Sequence, residues 1–336
     1  MTRTVLVARL DNAGDVLLTG PAVRAVAAHA DSVVMLAGPH GRSAAALLPG
    51  VDEVVEWRAP WIDPEPDPVT RAHVEHLRQA VEAIEPDVAV VFTSFHQSPL
   101  PLALVLRLAG VPWIGAISED YPGSLLDLRH RVPGDPPEAE RALSLARAAG
   151  FSPSGGDDGR LAVRRPLPCV ADLVGEPDYV VLHPGASVPA RQWPPQRCAE
   201  AVQALAAAGY RVVVTGARGE QQLTAQVAGE VGIDLGGGTD LAQLAAVLDG
   251  ARVVVAPNTG PAHLAAAVGT PVVSLFAPVV PAARWAPYRV PTVMLGRQDA
   301  PCRDTRARRC PVPGHPCLTG VTADDVVAAV GKLWRS

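Results

Sequence analysis

Short apolar runs alternate with amphipathic stretches along the whole chain. In the first half, the runs of strand length are TVLVARL, SVVML, EVVEW, DVAVVF and VPWIGAI. Between them, residues 16–29 and 69–84 place apolar side chains at helical spacing. Apolar strands interleaved with helices are typical of parallel sheets that are covered on both faces. The first half is therefore predicted to be an α/β unit.

The second half repeats this scheme. Its apolar runs are YVVLHPG, YRVVVTG, VGIDLGG, ARVVVAP and TPVVSLFAP, and helices are predicted over 197–208 and 241–248. Residues 151–177 between the halves are rich in Gly, Pro and charge and lack periodicity. We expect two domains, 1–165 and 166–336, with ligands bound in the cleft at the carboxyl ends of their strands. The closing helix, 322–334, is expected to pack back on the first domain.

Composition narrows the class of protein. The chain has 336 residues, 48% of them apolar and 19% charged, so it is predicted to be globular with two cores. A net charge of -5 argues against a general nucleic-acid binder. No apolar run reaches the roughly 18 residues of a membrane span, and the N-terminus does not resemble a signal peptide. We expect no transmembrane segment and a cytoplasmic location, and the odd number of cysteines, 5, does not suggest a disulfide framework.

Several common α/β chemistries lack their motifs here. The sequence contains no GxxxxGK[ST] phosphate loop and no GxSxG serine-hydrolase elbow. The first strand is followed by RLDNAGD, which has one glycine where a dinucleotide site has three. No convincing Asp-x-Asp pair is present to hold a metal on a nucleotide diphosphate.

Three strand-to-helix corners of the second half have residues that suit an anion. Small residues there expose backbone N–H groups, and amides at a helix N-terminus attract phosphate. The candidate donor-binding residues are His183, Gly185 and Ser187 at the first corner, Gly216 and Glu220 at the second, and Asn258, Thr259, Gly260 and His263 at the third. Three such corners in the second half are a more specific signal than any one alone.

Three segments resemble glycosyltransferase family 9, whose best-known members are the ADP-heptose heptosyltransferases of lipopolysaccharide assembly. They are RLDNAGDVLLTGPAVRAV, HPGASVPARQWP and NTGPAHLAAAVGTPVVSLFAP, and they occur in the family's order along nearly the whole chain. The resemblance implies a GT-B fold, in which two Rossmann-like domains with mostly parallel sheets face each other across a cleft. It further implies that the acceptor binds the N-terminal domain and the nucleotide sugar the C-terminal one. Transfer would invert the anomeric centre and need neither metal nor cofactor.

The resemblance also assigns catalytic roles. Asp15 falls on the family's catalytic aspartate and would be the general base for the acceptor hydroxyl. Arg191 stands where the heptosyltransferases have a lysine that holds the phosphates. Asn12 and Gly14, beside Asp15, are assigned to acceptor binding. From the residues alone, Asp15 could simply favour a helix N-terminus, and Arg191 could be a solvated surface residue.

Three donor-site residues have alternative interpretations. Asn258 replaces an aspartate that many family members have, so it can hydrogen-bond a sugar or ribose hydroxyl but cannot act as a base. Glu220 is expected to recognise ribose or sugar, although capping of the helix start explains it nearly as well. His263 could donate to a phosphate, but a lone helical histidine is more often structural.

The C-terminal segment CRDTRARRCPVPGHPC offers a further hypothesis. Cys302, Cys310, His315 and Cys317 could together hold a structural zinc ion, but the absence of a CxxC pair disfavours this. The arginines among them could meet an anionic acceptor, although such a run is more often a solvated loop.

The predicted function is transfer of a sugar, with a heptose suggested by the resemblance, from an ADP-linked donor to a hydroxyl of a glycan or secondary metabolite. Two alternatives stay open. One is a sugar-nucleotide epimerase on the same architecture. The other is a family member that only binds nucleotides, which the changes at residues 191 and 258 leave possible.

Overall fold

The computed structural model describes residues 3–63 and 65–335 and divides them into two compact units, with the boundary between Arg164 and Arg165. This boundary lies one residue before the predicted one. The first unit contains the strands β1 Thr4–Arg9, β2 Ser32–Ala37, β3 Glu53–Glu56, β4 Val88–Val91, β5 Trp113–Ile117 and β6 Leu128–His130. Its helices are α1 Ala13–Leu18, α2 Gly20–Ala27, α3 Arg42–Leu47, α4 Arg71–Ile84, α5 Leu100–Leu108 and α6 Glu138–Ala148.

The second unit repeats this alternation. Its strands are β7 Tyr179–Leu182, β8 Val212–Val214, β9 Ile233–Asp234, β10 Ala251–Pro257, β11 Val272–Leu275 and β12 Thr292–Leu295. Its helices are α7 Ala171–Val174, α8 Pro195–Ala207, α9 Gln221–Ala228, α10 Leu241–Asp249, α11 Gly260–Val268, α12 Ala282–Trp285, α13 Pro316–Thr319 and α14 Ala323–Trp334.

Each unit is built on a six-stranded parallel sheet with the same strand order. The first sheet runs β3-β2-β1-β4-β5-β6, and the second runs β12-β11-β10-β7-β8-β9. The strand order reverses between β1 and β4 in one sheet and between β7 and β10 in the other. In open α/β sheets this switch point is where ligands bind, outside the carboxyl ends of the strands. The α/β prediction is confirmed.

The helix predicted over 16–29 is two helices. Thr19 lies between α1 and α2, and its Oγ1 donates to the Val16 carbonyl at 2.6 Å. Pro21, in the first turn of α2, has no N–H for the carbonyl of Leu17 and therefore interrupts the helical hydrogen bonds at this point. The prediction of one continuous helix is wrong for this reason.

Other helix starts are determined by capping side chains. The α4 helix begins two residues later than predicted, at Arg71, because the Thr70 Oγ1 accepts from the His73 amide at 3.2 Å. Two edge strands were not predicted: β6 has a single apolar residue, and the TVML run of β12 is only half buried. Strand β9 keeps only two residues of the predicted VGIDLGG run.

The closing helix α14 packs against α8 and lies beside β10, β11 and β12 in the second unit. Its expected return onto the first domain stays a prediction. The second core also includes Trp193, which is 1% exposed and donates its Nε1–H to the Leu318 carbonyl at 3.1 Å. This bond ties the start of α8 to the C-terminal segment. Within residues 3–63 and 65–335, no helix is both long and apolar enough to cross a membrane.

Candidate active site

At the switch point of the first sheet, a buried arginine holds two carboxylates. Arg9 ends β1, is 2% exposed, and places its Nε 2.6 Å from an oxygen of Asp11. Its NH2 donates to Asp15 Oδ1 at 3.1 Å and to Ser94 Oγ at 2.8 Å. Asp15, in the first turn of α1, keeps 20% of its side chain exposed. The carboxylate that the sequence singled out is thus oriented by Arg9 and still reachable from solvent.

Asp11 is more deeply enclosed than Asp15. Burial raises its pKa to about 6, and the negative charges of Asp15 and Glu138 add to this effect, while Arg9 opposes it. Gln97 donates its side-chain amide to Asp11 and accepts from the Ser94 amide at 3.0 Å. This network joins the end of β1 to the loop after β4, its neighbour across the switch point.

Four residues of this network were not predicted from the sequence: Arg9, Asp11, Ser94 and Gln97. The letters RLD before the predicted catalytic aspartate were the one available signal, since β1 and β4 become neighbours only in the folded sheet. The two acceptor candidates lie at this corner. Asn12 is exposed at the start of α1, and Gly14 is buried inside its first turn. Their assignment to the acceptor stays a prediction.

In the second unit, the corners after β7 and β8 meet at Glu220. A Cβ at Gly185 would lie 2.1 Å from an oxygen of the Glu220 carboxylate, so only glycine lets this side chain approach the loop. The other Glu220 oxygen accepts from the Ala217 amide at 2.8 Å. Gly216 is needed for a different reason, because its Cβ would lie 2.5 Å from the Thr224 methyl carbon. Gly216 therefore allows α9 to pack closely on β8.

His183 follows β7 directly and is buried. Its Nδ1 lies 3.0 Å from the Thr215 hydroxyl, and burial lowers the pKa of the imidazole to about 4, with Glu220 opposing the shift. The ring is therefore neutral near pH 7. It can take part in hydrogen bonds but brings no positive charge to a phosphate.

At the corner after β10, some of the hydrogen-bonding groups are already paired within the protein. Asn258 is 4% exposed, and its side-chain amide donates to the Ala277 carbonyl and accepts from the Ala277 amide, both at 3.3 Å. The Thr259 amide donates to the Pro257 carbonyl at 2.8 Å. The expected amide of Thr259 is thus already engaged, and Pro261 supplies no N–H. His263 is buried, with 5% of its surface exposed. The corner therefore offers an anion the Gly260 amide and the Thr259 hydroxyl.

Arg191 connects the β7 loop to this corner. It ends a 3₁₀ turn over Pro189–Arg191, and its NH1 donates to the Asn258 carbonyl at 3.4 Å. The preceding residue, Ala190, donates its amide to the Arg308 carbonyl, and its own carbonyl lies 3.0 Å from His315 Nε2. Ser187, earlier in the loop, is exposed. The C-terminal segment therefore positions the loop that presents Arg191.

The C-terminal thiols cluster without forming a disulfide. Burial raises the pKa of Cys317 to about 11, and the thiols of Cys302 and Cys310 are close enough to add to this shift. Among the residues that the structure describes, no group of three or more His, Cys, Asp or Glu side chains could hold a metal ion. The zinc hypothesis finds no support there, because the Nε2 of His315 is directed at Ala190 instead.

These two switch-point sites, on two Rossmann-like units, define a GT-B type protein. The family described as "Glycosyltransferase family 9 (heptosyltransferase)" matches residues 76–315, which is most of the chain. The chain belongs to this family, and the resemblance noted in the sequence is confirmed.

Three known proteins illustrate the relationship. The Escherichia coli protein "Lipopolysaccharide heptosyltransferase 3" is 31% identical over 168 residues, which are 47% of this chain and 48% of that protein. The matched segment thus spans about half the length of this curated relative. The structure of E. coli ADP-heptose lps heptosyltransferase II has a TM-score of 0.75 at 20% identity, over 99% of this chain and 98% of that one. A "bacterial iron-containing dodecameric glycosyltransferase TibC" from enterotoxigenic E. coli has a TM-score of 0.58 at 16% identity, over 99% of this chain and 76% of that one.

Proposed function

We propose that the protein is an inverting glycosyltransferase that moves a heptose from ADP-heptose to an acceptor hydroxyl without a metal ion. The observation that supports this most directly is the position of Arg191. Its NH1 lies 3.4 Å from the Asn258 carbonyl, so a guanidinium stands beside the N-terminus of α11 at the switch point of the second sheet. A fixed cation and a helix N-terminus together suit the diphosphate of a leaving nucleotide.

The first unit supplies the base in this proposal. Asp15 accepts the proton of the acceptor hydroxyl as that oxygen bonds to the anomeric carbon. The bond from the anomeric carbon to the phosphate oxygen breaks at the same time, and its electron pair leaves with ADP. Because the hydroxyl attacks opposite the leaving group, the anomeric configuration inverts. Arg9 keeps Asp15 in place through its 3.1 Å contact.

The second unit stabilises the departing charge. Arg191, the Gly260 amide and the Thr259 hydroxyl are the donors for the diphosphate, each worth about 2.7–4 kcal/mol when well placed. Glu220, fixed against Gly185, is available for a ribose or sugar hydroxyl. The choice of ADP-heptose rests on family membership and on the name of the E. coli heptosyltransferase II structure. The acceptor is a hydroxyl of a glycan or a secondary metabolite.

Donor binding is tested by calorimetric titration with ADP, GDP and UDP in the presence of EDTA. We expect binding of ADP in preference to the other two. A preference for GDP or UDP would keep the mechanism but replace the donor. Binding that requires an added metal ion would contradict the metal-independent part, and no binding at all would contradict the donor site.

The base is tested with Asp15→Asn. Turnover of ADP-heptose should fall roughly 100- to 10,000-fold while ADP affinity stays unchanged. The matched control is Asp172→Asn, since Asp172 is exposed on α7 in the other unit. An unchanged rate in Asp15→Asn would contradict the assignment. Formation of an isomeric nucleotide sugar without ADP release would favour the epimerase alternative.

A further inference from the structure

A cavity of about 230 Å³ adjoins the Arg9–Asp11–Asp15 network in the first unit. We call it the Trp61 cavity, and it is lined by Trp61, Ile62, His96, Gln97, Ser98 and Pro101. Gln97 connects it to the network, because its side-chain amide donates to Asp11. Sites for drug-sized ligands have volumes of roughly 300–1,000 Å³. The smaller volume of the Trp61 cavity is suited to a single sugar ring.

The lining combines an aromatic face with neutral hydrogen-bonding groups. Trp61 is half-buried, and its ring centroid lies 5.3 Å from that of Trp57. Trp57 is 3% exposed and donates its Nε1–H to the His73 carbonyl at 3.2 Å. The contact between the two rings helps to fix the position of Trp61. The apolar C–H face of a sugar packs on such a ring, while Gln97 and Ser98 can bond its hydroxyls.

A second, smaller cavity of about 30 Å³ lies beside the first and shares Ile62 with it. Its lining includes two carboxylates, Asp11 and Asp63. Asp63 is paired with Arg58 at 2.9 Å and lies 3.8 Å from His40. This cavity extends the Trp61 cavity toward the end of β1 and adds two carboxylates, each already paired with an arginine.

No lysine or arginine is among the described residues that line the two cavities. The nearby Arg9 is 2% exposed and already contacts Asp11, Asp15 and Ser94. At the other side, Asp120 is exposed and accepts from the Ser98 hydroxyl at 3.3 Å. Because Arg9 and Arg58 are already paired with Asp11 and Asp63, a phosphate or carboxylate on the ligand would meet no lysine or arginine in the lining to compensate its charge.

We propose that the acceptor is a sugar ring without phosphate or carboxylate, neutral or amine-bearing, which binds in the Trp61 cavity. The proposal rests on the proposed function only in calling this ligand the acceptor. Binding itself needs no donor, so it can be measured independently of ADP and of sugar transfer.

The test is saturation-transfer NMR and calorimetry on the full chain without donor. The probes are methyl glucoside, methyl glucosaminide, methyl glucuronide and glucose 6-phosphate. We expect the first two to bind and the two acidic sugars to bind at least about tenfold more weakly. Trp61→Ala should abolish binding of the neutral and amino sugars and leave ADP affinity unchanged.

A gain-of-charge variant keeps the proposal falsifiable if Trp61→Ala is poorly folded. His96 is exposed at the cavity, so His96→Arg should reverse the preference toward glucuronide and phosphate. The matched control, His76→Arg, makes the same exchange at an exposed position of α4 and should not change the preference. Equal or tighter binding of the acidic sugars to the unmodified protein would overturn the proposal, as would binding of none of the probes. Failure of these tests with intact ADP binding would contradict this inference and leave the proposed function standing.

Discussion

Replacing Asn258 by aspartate exchanges one buried N–H donor for an oxygen and is expected to destabilise the second unit. The Nδ2 of Asn258 donates to the Ala277 carbonyl at 3.3 Å, while its Oδ1 accepts from the Ala277 amide at the same distance. Asn258→Asp keeps the second bond but places a carboxylate oxygen against the carbonyl. An unsatisfied buried group costs about 1–3 kcal/mol, and more when charged, so we expect a loss of about 2–4 kcal/mol. For a domain of this size, the melting temperature should fall by roughly 5–10 °C.

The loss of stability in Asn258→Asp should increase as the pH rises. Burial raises the pKa of an introduced carboxyl above the ordinary aspartate value of about 3.9. The destabilisation is then complete above the raised pKa and shrinks as the pH falls toward the ordinary value, because the protonated carboxyl can again donate to Ala277. Scanning calorimetry at about pH 7.5 and 5 measures the loss of stability and its pH dependence. A typical point mutation destabilises a protein by about 1 kcal/mol, so the expected loss is larger than usual.

The matched control is Asn12→Asp, which makes the same exchange at an exposed helix start. It should change the melting temperature by no more than about 2 °C, since surface substitutions are usually within about 0.5 kcal/mol. An Asn258→Asp protein as stable as the parent at both pH values would contradict the predicted loss of stability. It would indicate that the carboxylate turns toward Arg191, whose NH1 already contacts the residue 258 carbonyl.

Three further predictions concern the two sites and the thiols. Gly185→Ala should weaken ADP binding at least about tenfold in calorimetry, because the new Cβ would lie 2.1 Å from a Glu220 carboxylate oxygen and displace it. Unchanged affinity would contradict a role for Glu220 in the donor site. Ionising Asp11, a buried carboxyl with a pKa of about 6, costs stability as the pH rises. The melting temperature of Asp11→Asn should therefore fall less between about pH 4 and 7 than that of the parent. An identical pH profile of the two proteins would argue against the raised pKa. The exposed thiol of Cys169 should react rapidly with a thiol reagent, whereas the buried thiol of Cys198, whose pKa burial raises to about 12, should react only after unfolding. Rapid labelling of Cys198 in the folded protein, located by peptide mass spectrometry, would contradict this.

Much of the fold could be predicted because its signal is local. Parallel strands buried on both faces need continuous apolar runs, and runs such as ARVVVAP gave the bounds of β10 directly. The edge strand β6 has one unpaired side and less burial, and with a single apolar residue it does not form such a run. Helix breaks also depend on single residues, as the division at Thr19 before Pro21 illustrates.

The candidate site could be predicted only in part. Glu220 and the residue 258–260 corner could be proposed because strand ends of a parallel sheet lie at one edge, whereas the roles of Asp15 and Arg191 came from the family resemblance. Their partners were not identified. Ser94 and Gln97 are more than 80 residues from Arg9 and Asp11 along the chain, and β1 and β4 become neighbours only through the strand order.

Apolar periodicity and contiguous motifs along the chain are enough to predict the alternation of strands and helices, the two-unit division and the family. Which functional groups remain available depends on how the chain folds. The tertiary structure engages Asn258 with Ala277, gives His183 a neutral ring through burial, and places the Trp61 cavity beside Asp11. These differences arise because hydrogen-bond pairing and desolvation depend on groups that are distant along the chain. A residue's type fixes what it can donate or accept, but its surroundings determine whether that capacity remains for a ligand.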